Sequence, residues 1–376
     1  MTGRDKIELA FSPNGAPDIP AVICYEGIYY RDRWDDVTSC PWWYAHSNDL
    51  DEQLAWRADA IERLNQDWFV VPMCASRDDR AAVTVSERPD GVYRTDARTG
   101  ESEKIERPPL GGHSLASRMG SVRPEALAAT TEEIDELLPL PADAPEDITE
   151  SGRDDLAKML LGGAARDLYP VYYIGSPFWA LSSLWGFEGM MIMTATRRDL
   201  VRYATERALA RAVHAVRQAA LLGARAVWIE ECLTDMISPS DFRDLNLPLL
   251  RAMVDAAHAA RMKAIYYYCG NPADRWEHLF ATGADALSLE EGKKGWTVDI
   301  DEVVDRAGGR CAVLGNLDAI NLLPNASEDV LRHEVSRQLA AGRRNGGRFI
   351  MSIGSPVTPA TPASRVRLYT DLVHEG

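Results

Sequence analysis

Eight short apolar runs, rich in β-branched and aromatic residues, recur along the chain and limit its fold more than any other feature. The runs are Ala21–Tyr25, Trp68–Met73, Pro170–Gly175, Ala226–Cys232, Lys263–Cys269, Ala286–Glu290, Cys311–Gly315 and Arg348–Ile353. Strands that are apolar almost throughout are typical of a parallel sheet that is covered on both faces. Helical patterns separate the later runs, at Arg197–Leu222, Pro239–Arg261, Pro272–Thr282, Ile300–Ala307 and Ser327–Arg344. This alternation predicts an α/β fold, a single (β/α)8 TIM barrel over residues 1–376.

Two segments interrupt the alternation. Residues 81–105 alternate around turn signals at Pro89-Asp90-Gly91 and Arg98-Thr99-Gly100, which predicts a β-hairpin inserted after the second strand. Residues 125–155 are acidic and contain prolines at 139, 141 and 145, which predicts a solvated crossover segment on the outside of the barrel. A doubly wound sheet is the competing fold, but no G-x-G-x-x-G sequence follows the first run.

The charge balance excludes some classes of partner. The chain has 41 Lys and Arg against 57 Asp and Glu, a net charge of −16, whereas nucleic acids and anionic membranes bind basic surfaces. No apolar run approaches the about 20 residues needed to span a bilayer, and the first residues lack the apolar core of a signal peptide. The six cysteines are scattered without a C-x-x-C pair, which is typical of reduced thiols. We therefore expect a cytoplasmic protein that acts on a small molecule.

Polar residues stand where the predicted strands end, and in a barrel the carboxyl ends of the strands form the active site. We predict catalytic roles for Glu231, Asp235, Cys269, Glu290 and Asp318, and substrate contacts for Tyr25, Trp179, Tyr267, Asn271, Asn316 and Ser355. Because successive strand residues point to opposite faces, one member of each pair Glu230-Glu231 and Glu290-Glu291 faces the pocket, and the sequence does not say which. No histidine stands at a predicted strand end, so a Ser-His-Asp relay or a multi-histidine metal site is poorly supported.

Short motifs at these strand ends occur in the order found in a known superfamily. They are Ser176-Pro177-Phe178-Trp179, Gly186-Phe187-Glu188-Gly189, Ile237-Ser238-Pro239-Ser240-Asp241-Phe242, Cys269-Gly270-Asn271, Gly283-Ala284-Asp285, Gly315-Asn316-Leu317-Asp318, Gly354-Ser355-Pro356 and Thr361-Pro362. Over about residues 165–376 the chain resembles the uroporphyrinogen decarboxylase superfamily, which includes zinc- and corrinoid-linked methyltransferases. The resemblance implies a single barrel, often dimeric, so a homodimer is expected. The decarboxylase's own R-Q-A-G-R signature, suited to a substrate with many carboxylates, is absent from this chain, which disfavours a porphyrinogen substrate.

The methyltransferase branch of the superfamily binds zinc through H-x-C at the end of strand five and a cysteine at the end of strand eight. Cys269 matches the first cysteine, whereas Tyr267 stands at the histidine position and Ser355 at the second cysteine. One hypothesis is a rebuilt zinc site in which Cys269 is joined by Glu231, Glu290 or Cys232, since carboxylates and thiolates both bind zinc. The other hypothesis is a site without metal.

Three functions remain open from the sequence. The first is a methyltransferase that moves a methyl group between a small methylated compound and a corrinoid, folate or thiol acceptor, with a corrinoid protein as a candidate partner. The second is a metal-free decarboxylase of a small carboxylic acid, in which a crowded carboxyl with a raised pKa (Glu231, Asp235 or Asp318) protonates the carbanion. The third, a barrel that only binds, gives no reason for so many acids at strand ends. The sequence favours methyl transfer.

Overall fold

A computed structural model describes residues 1–112, 128–232, 234–292 and 295–376. The described residues contain ten strands: β1 Trp68–Val70, β2 Val83–Arg88, β3 Gly91–Asp96, β4 Ser102–Ile105, β5 Tyr169–Gly175, β6 Ala226–Cys232, β7 Lys263–Cys269, β8 Ala286–Leu289, β9 Ala312–Leu314 and β10 Phe349–Ile350. Seven of them form one curled parallel sheet in the order β1-β5-β6-β7-β8-β9-β10. The fold is therefore α/β, with helices following most of the parallel strands.

Helices precede, separate and follow the strands of the described residues. The α-helices are Gly3–Phe11, Glu26–Asp32, Trp34–Val37, Leu50–Leu64, Arg77–Ala82, Thr131–Leu137, Asp147–Glu150, Asp155–Gly162, Ser182–Thr196, Arg198–Leu221, Pro239–Asp241, Leu247–Ala259, Trp276–Phe280, Ile300–Ala307, Leu322–Asn325, Glu328–Arg344 and Ala363–Glu375. Short 3-10 turns lie at Trp42–His46, Trp179–Leu181 and Thr234–Met236, and a π-helical turn lies at Phe242–Asn246. No helix of the described residues has both the length and the apolar character needed to span a membrane.

The first predicted strand, Ala21–Tyr25, forms only a bridge at Ala21, which pairs with Met351 beyond β10. The Val22 amide donates to the Met351 carbonyl (2.9 Å), and on the other side the Asp67 amide donates to the Ala21 carbonyl (2.8 Å). This short segment thus connects the β1 and β10 edges of the curled sheet. The helix Gly3–Phe11 lies at the amino ends of the strands, where the Phe11 ring packs on Tyr169.

The predicted hairpin at residues 81–105 contains one strand more than expected. Its three strands β2, β3 and β4 pair antiparallel in sequence order. The turn between β3 and β4 lies at the second turn signal, Arg98-Thr99-Gly100, where Gly100 adopts a positive φ of 73° that suits a tight turn.

The acidic segment lies against the helix Arg198–Leu221. The Tyr203 hydroxyl donates to Asp135 (2.6 Å), and the Arg207 guanidinium donates to the Leu138 carbonyl (3.0 Å). The first three residues of the predicted segment, 125–127, lie outside the described residues.

Candidate active site

Aromatic rings fill the interior of the curled sheet and identify which face of each strand points inward. Trp228 of β6 stacks on Tyr267 of β7, with ring centroids 5.0 Å apart, and also packs on Tyr173 and Trp68. The Tyr267 hydroxyl reaches across the sheet and donates to the Gly354 carbonyl (3.2 Å), beyond β10. Because side chains alternate along a strand, Glu230 and Cys232 share the inward face of Trp228, and Glu231 lies on the outer face.

Glu230 is hydrogen-bonded to Tyr25 at the carboxyl ends of the strands. The Tyr25 hydroxyl donates to Glu230 Oε1 over 2.7 Å, and its ring lies 5.7 Å from that of Tyr267. Burial raises the pKa of Tyr25 well above its ordinary value, so the phenol stays protonated and donates. Tyr25 also adopts a left-handed φ of 57°, an uncommon conformation for a bulky residue and one that is enriched at functional sites. Tyr25 and Glu230 therefore form a positioned proton donor and acceptor.

Two thiols lie beside this pair. Cys232 of β6 and Cys269 of β7 are paired directly in register, so their side chains share the inward face. A hydrogen bond with Cys269, together with burial, raises the pKa of Cys232 above its ordinary value. At neutral pH Cys232 is thus a thiol, and the half-buried Cys269 is the more accessible of the two.

Glu290 belongs to the same inward face. Tyr267 pairs with Ser288 in register, and two residues further along both strands this alternation places Glu290 beside Cys269. Glu290 adds to the raised pKa of Tyr267, after burial and Cys269, which agrees with this placement. Asn316 lies just beyond the end of β9, where its side-chain amide donates to the Val298 carbonyl (2.8 Å). The inward faces of β6, β7 and β8 thus bring together two carboxyl groups and two thiols.

Glu231 has a different environment on the outer face of β6. It is fully buried, and its carboxyl group accepts hydrogen bonds from the Ser176 hydroxyl (2.8 Å) and the Asn246 side-chain amide (2.7 Å). Burial raises its pKa to about 8. The carboxyl group thereby connects the end of β6 to the loop after β5 and to the π-helical turn Phe242–Asn246. The predicted catalytic role of Glu231 stays a prediction, and the geometry gives it a positioning role between loops.

Glu290 and Glu291, the second pair of neighbouring carboxyl groups, also have different environments. Glu291 accepts a hydrogen bond from the Ser355 hydroxyl (2.8 Å), and both side chains are buried. A Cβ on Gly354 would lie 2.3 Å from the Glu291 amide nitrogen, so only glycine allows this approach. The Ser355 hydroxyl is therefore used by Glu291 at this strand end.

The remaining predicted residues hold loops at the strand ends. Asp235 accepts from the Asn271 amide (3.2 Å), and Asp318 accepts from the Ile320 and Asn321 amides (2.8 and 2.7 Å). Trp179 is half-buried and begins a 3-10 turn, and its backbone amide donates to the Ser176 hydroxyl (3.1 Å). These contacts support the loops around the site, and the predicted substrate and catalytic roles of these residues are not tested by them.

Three residues outside the predicted catalytic and substrate-binding sets have defined places at or beside the site, and two of them, Glu230 and Cys232, were named from the sequence only as alternatives. Glu230 and Cys232 lie on the inward face, and Asn246 contacts Glu231 from a helix. Strand alternation could have separated Glu230 from Glu231 if an inward-pointing residue of β6 had been known. Nothing in the local sequence signals the contact of Asn246.

The donors do not fit the three-ligand zinc site that the resemblance implies. Glu231 lies on the opposite face of β6 from Cys269, and Ser355 is hydrogen-bonded to Glu291. Across residues 1–112, 128–232, 234–292 and 295–376, no group of three or more His, Cys, Asp and Glu side chains is arranged to hold a metal ion.

The carboxyl-terminal part of the chain matches a known family. Residues 170–376 match the model described as uroporphyrinogen decarboxylase (URO-D). The uroporphyrinogen decarboxylase of Anaeromyxobacter sp. (strain Fw109-5) is 29% identical over 220 residues, 56% of this chain and 60% of the relative. That of Legionella pneumophila (strain Lens) is 24% identical over 229 residues, 59% of this chain and 62% of the relative. This chain thus spans about three fifths of the length of these curated relatives.

A solved structure resembles the whole chain. A methyltransferase from Methanosarcina mazei superposes with a TM-score of 0.67, covering 100% of this chain and 99% of that chain, at 17% sequence identity. At this identity the likeness shows that the two proteins share a fold.

Proposed function

Because this chain belongs to the uroporphyrinogen decarboxylase family, we propose that it is an enzyme, and specifically a methyltransferase that acts on a small methylated compound. The acceptor of the methyl group would be a corrinoid, a folate or a thiol, and a corrinoid protein would be the natural partner in the first case. The fold is compatible with this chemistry, since a methyltransferase shares it along its full length.

The observation that supports this proposal is the charge of the inward face. At the carboxyl ends of β5 to β9 the described inward positions carry Gly175, Glu230, Cys232, Cys269, Glu290 and Asn316, and none of them is Lys or Arg. A substrate carboxylate placed among two carboxyl groups would meet like charge without a cation to bind it. A neutral or cationic methylated compound meets no such penalty, and the rings of Tyr25 and Tyr267 offer it an apolar surface.

Tyr25 and Glu230 supply the proton chemistry that methyl transfer needs. When a methyl group leaves oxygen, nitrogen or sulfur, the bond to carbon breaks and the heteroatom keeps the electron pair. That heteroatom then takes up one proton, which Glu230 would deliver from its protonated form and regain from solvent. Tyr25, which stays protonated, holds the carboxyl group through its 2.7 Å hydrogen bond. General acid catalysis of this kind contributes about 10²–10⁴ in rate.

The test is a search for transferred methyl carbon. The purified protein is incubated with ¹³C-methyl alcohols, amines, thioethers and aryl ethers, together with reduced cobalamin, tetrahydrofolate or 2-mercaptoethanol as acceptor. NMR then follows the labelled carbon. Methyl transfer to one acceptor supports the proposal, and no transfer across the panel contradicts it.

A matched pair of variants then tests the assignment of the proton donor. Glu230→Gln is expected to lower kcat about a hundredfold or more, because the amide cannot deliver the proton. Glu231→Gln changes the neighbouring carboxyl group on the opposite face and is expected to keep kcat within about threefold. Equal losses in both variants would contradict the assignment to Glu230.

A decarboxylase is the second candidate, and the Tyr25–Glu230 pair favours it as well. Loss of CO2 leaves an electron pair on carbon, and a positioned carboxylic acid can protonate it. The curated relatives are named uroporphyrinogen decarboxylases, although this chain lacks the arginine signature of that substrate. Release of CO2 from a panel of small carboxylic acids, with proton uptake at the same carbon and no methyl transfer, would establish this alternative.

A further inference from the structure

A cavity of about 250 Å³ lies beside the helix Glu26–Asp32, which begins directly after Tyr25. Its walls come from the helices Glu26–Asp32, Trp34–Val37 and Leu50–Leu64, from the turn Trp42–His46, and from Arg107 and Pro108. None of the inward-facing strand-end residues described above lines it. The cavity is therefore a second candidate binding site.

Four aromatic side chains line the cavity, and most of them pack on one another. Trp56 lies 5.0 Å from Trp34 and 5.7 Å from Tyr30 between ring centroids, and all three are buried. Trp42, which is partly exposed, forms the outer part of the wall and contacts His46. Because these rings hold one another in place, the cavity is preformed for a flat apolar ligand.

The charged side chains that line the cavity are both cations. Arg31 and Arg107 belong to the lining, whereas their partners Asp32 and Asp35 do not. Besides its 2.9 Å contact with Asp32, Arg31 donates to the Gly112 carbonyl (2.8 Å), and Arg107 contacts Asp35 at 2.9 Å. A guanidinium carries five N–H donors, so each arginine can still bind a further acceptor.

We propose that this cavity binds a small planar aromatic carboxylate. The ring would pack among Trp34, Trp42 and Trp56, and the carboxylate would accept from the arginines at the rim. The size agrees with this ligand, because a dry cavity of about 150 Å³ already accommodates benzene. The remaining volume is enough for a carboxylate and one or two further ring substituents.

The test compares three probes of one size by saturation-transfer NMR on the full-length protein. Benzoate is expected to bind, and benzyl alcohol and benzylamine at least about fivefold more weakly, because they lack the negative charge that the arginines recognise. Binding of benzylamine as tight as that of benzoate, or no binding of benzoate, would overturn the proposal.

Variants locate the site. Trp42→Ala is expected to weaken benzoate binding about tenfold, since it removes the partly exposed part of the aromatic wall. Arg107→Gln is expected to weaken it about fivefold. Trp43→Ala, a change of the neighbouring residue that does not line the cavity, serves as the matched control and should leave the Kd within about twofold. Equal effects of the two tryptophan variants, in proteins with unchanged circular dichroism, would also overturn the proposal.

Discussion

Replacing Glu231 by glutamine should change how the stability of the protein depends on pH. The substitution keeps the size and shape of the side chain while removing its ability to ionise. The amide oxygen can accept from Asn246, and the amide nitrogen can donate to the Ser176 hydroxyl, which has a free acceptor position beside the bond from Trp179. The hydrogen bonds around residue 231 are therefore retained, and the main difference is the proton equilibrium.

The magnitude follows from the pKa of Glu231, which burial raises from about 4.5 to about 8. Between these values the unfolded chain has lost the proton and the folded chain keeps it, so the folded state binds more protons. Stability therefore falls as pH rises through this window, by up to ~1.4 kcal/mol per pH unit, and is constant above the folded pKa. Between pH 4.5 and 8 the free energy of unfolding falls by at most about 5 kcal/mol through Glu231, and this decrease is absent from the glutamine variant.

The assay is urea unfolding followed by circular dichroism at pH 5, 6, 7 and 8. The free energy of unfolding of the Glu231→Gln variant, minus that of the unchanged protein, should increase by about 1 kcal/mol with each pH unit. Glu26 is another buried carboxyl group, with a pKa of about 7, and it contributes equally to both proteins, so the difference isolates Glu231. Glu230→Gln is the matched control on the same strand. Parallel curves for the unchanged protein and Glu231→Gln would refute the argument.

Two further substitutions test packing by urea unfolding, Gly354→Ala at the site and Asp67→Asn at the amino ends of the strands. Gly354→Ala should destabilise the fold by about 2–3 kcal/mol, because its Cβ would lie 2.3 Å from the Glu291 amide nitrogen, whereas Gly162→Ala meets nothing within 4 Å and should be nearly neutral. A neutral Gly354→Ala would contradict the close approach. Although burial opposes it, hydrogen bonding from His374 helps hold the pKa of Asp67 below its ordinary value, so its ionised form stabilises the folded state above about pH 4. Asp67→Asn should lose about 2–4 kcal/mol at pH 7 and progressively less as the pH falls below 4, and a loss that does not depend on pH would point to packing instead.

The parallel strands were predictable because burial on both faces gives long apolar runs. The bounds of β6 and β7 agree with the predicted runs at both ends, and the resemblance to the family is confirmed. The run Ala21–Tyr25 was predicted as a strand but forms a single bridge, because Tyr25 turns into the left-handed region and begins a helix. An apolar run reports burial, and it does not report where the backbone leaves the extended conformation.

The candidate site was predictable in position but not in orientation. Period-two alternation requires that Glu230 and Glu231 diverge, yet the sequence contains no signal for which of them faces inward. That choice is set by the packing of Trp228 against Tyr267, a contact between two strands. The same applies to Glu231 as a zinc ligand, since the sequence does not specify that it takes the opposite face of β6 from Cys232 and Cys269.

The two neighbouring carboxyl groups of β6 illustrate how one strand end serves two purposes. Glu230 is half-buried and meets a phenol at the open end of the strands, where a carboxyl group can exchange protons with a ligand. Glu231 is enclosed, and its raised pKa keeps most of its molecules neutral at pH 7, so it connects two loops without burying a charge. A neutral carboxyl group both donates and accepts, and a serine hydroxyl and an asparagine amide suit it on either side. Raising the pH above 8 therefore places a buried charge at Glu231 and lowers the stability of the fold, while the inward face keeps its own pair of Tyr25 and Glu230.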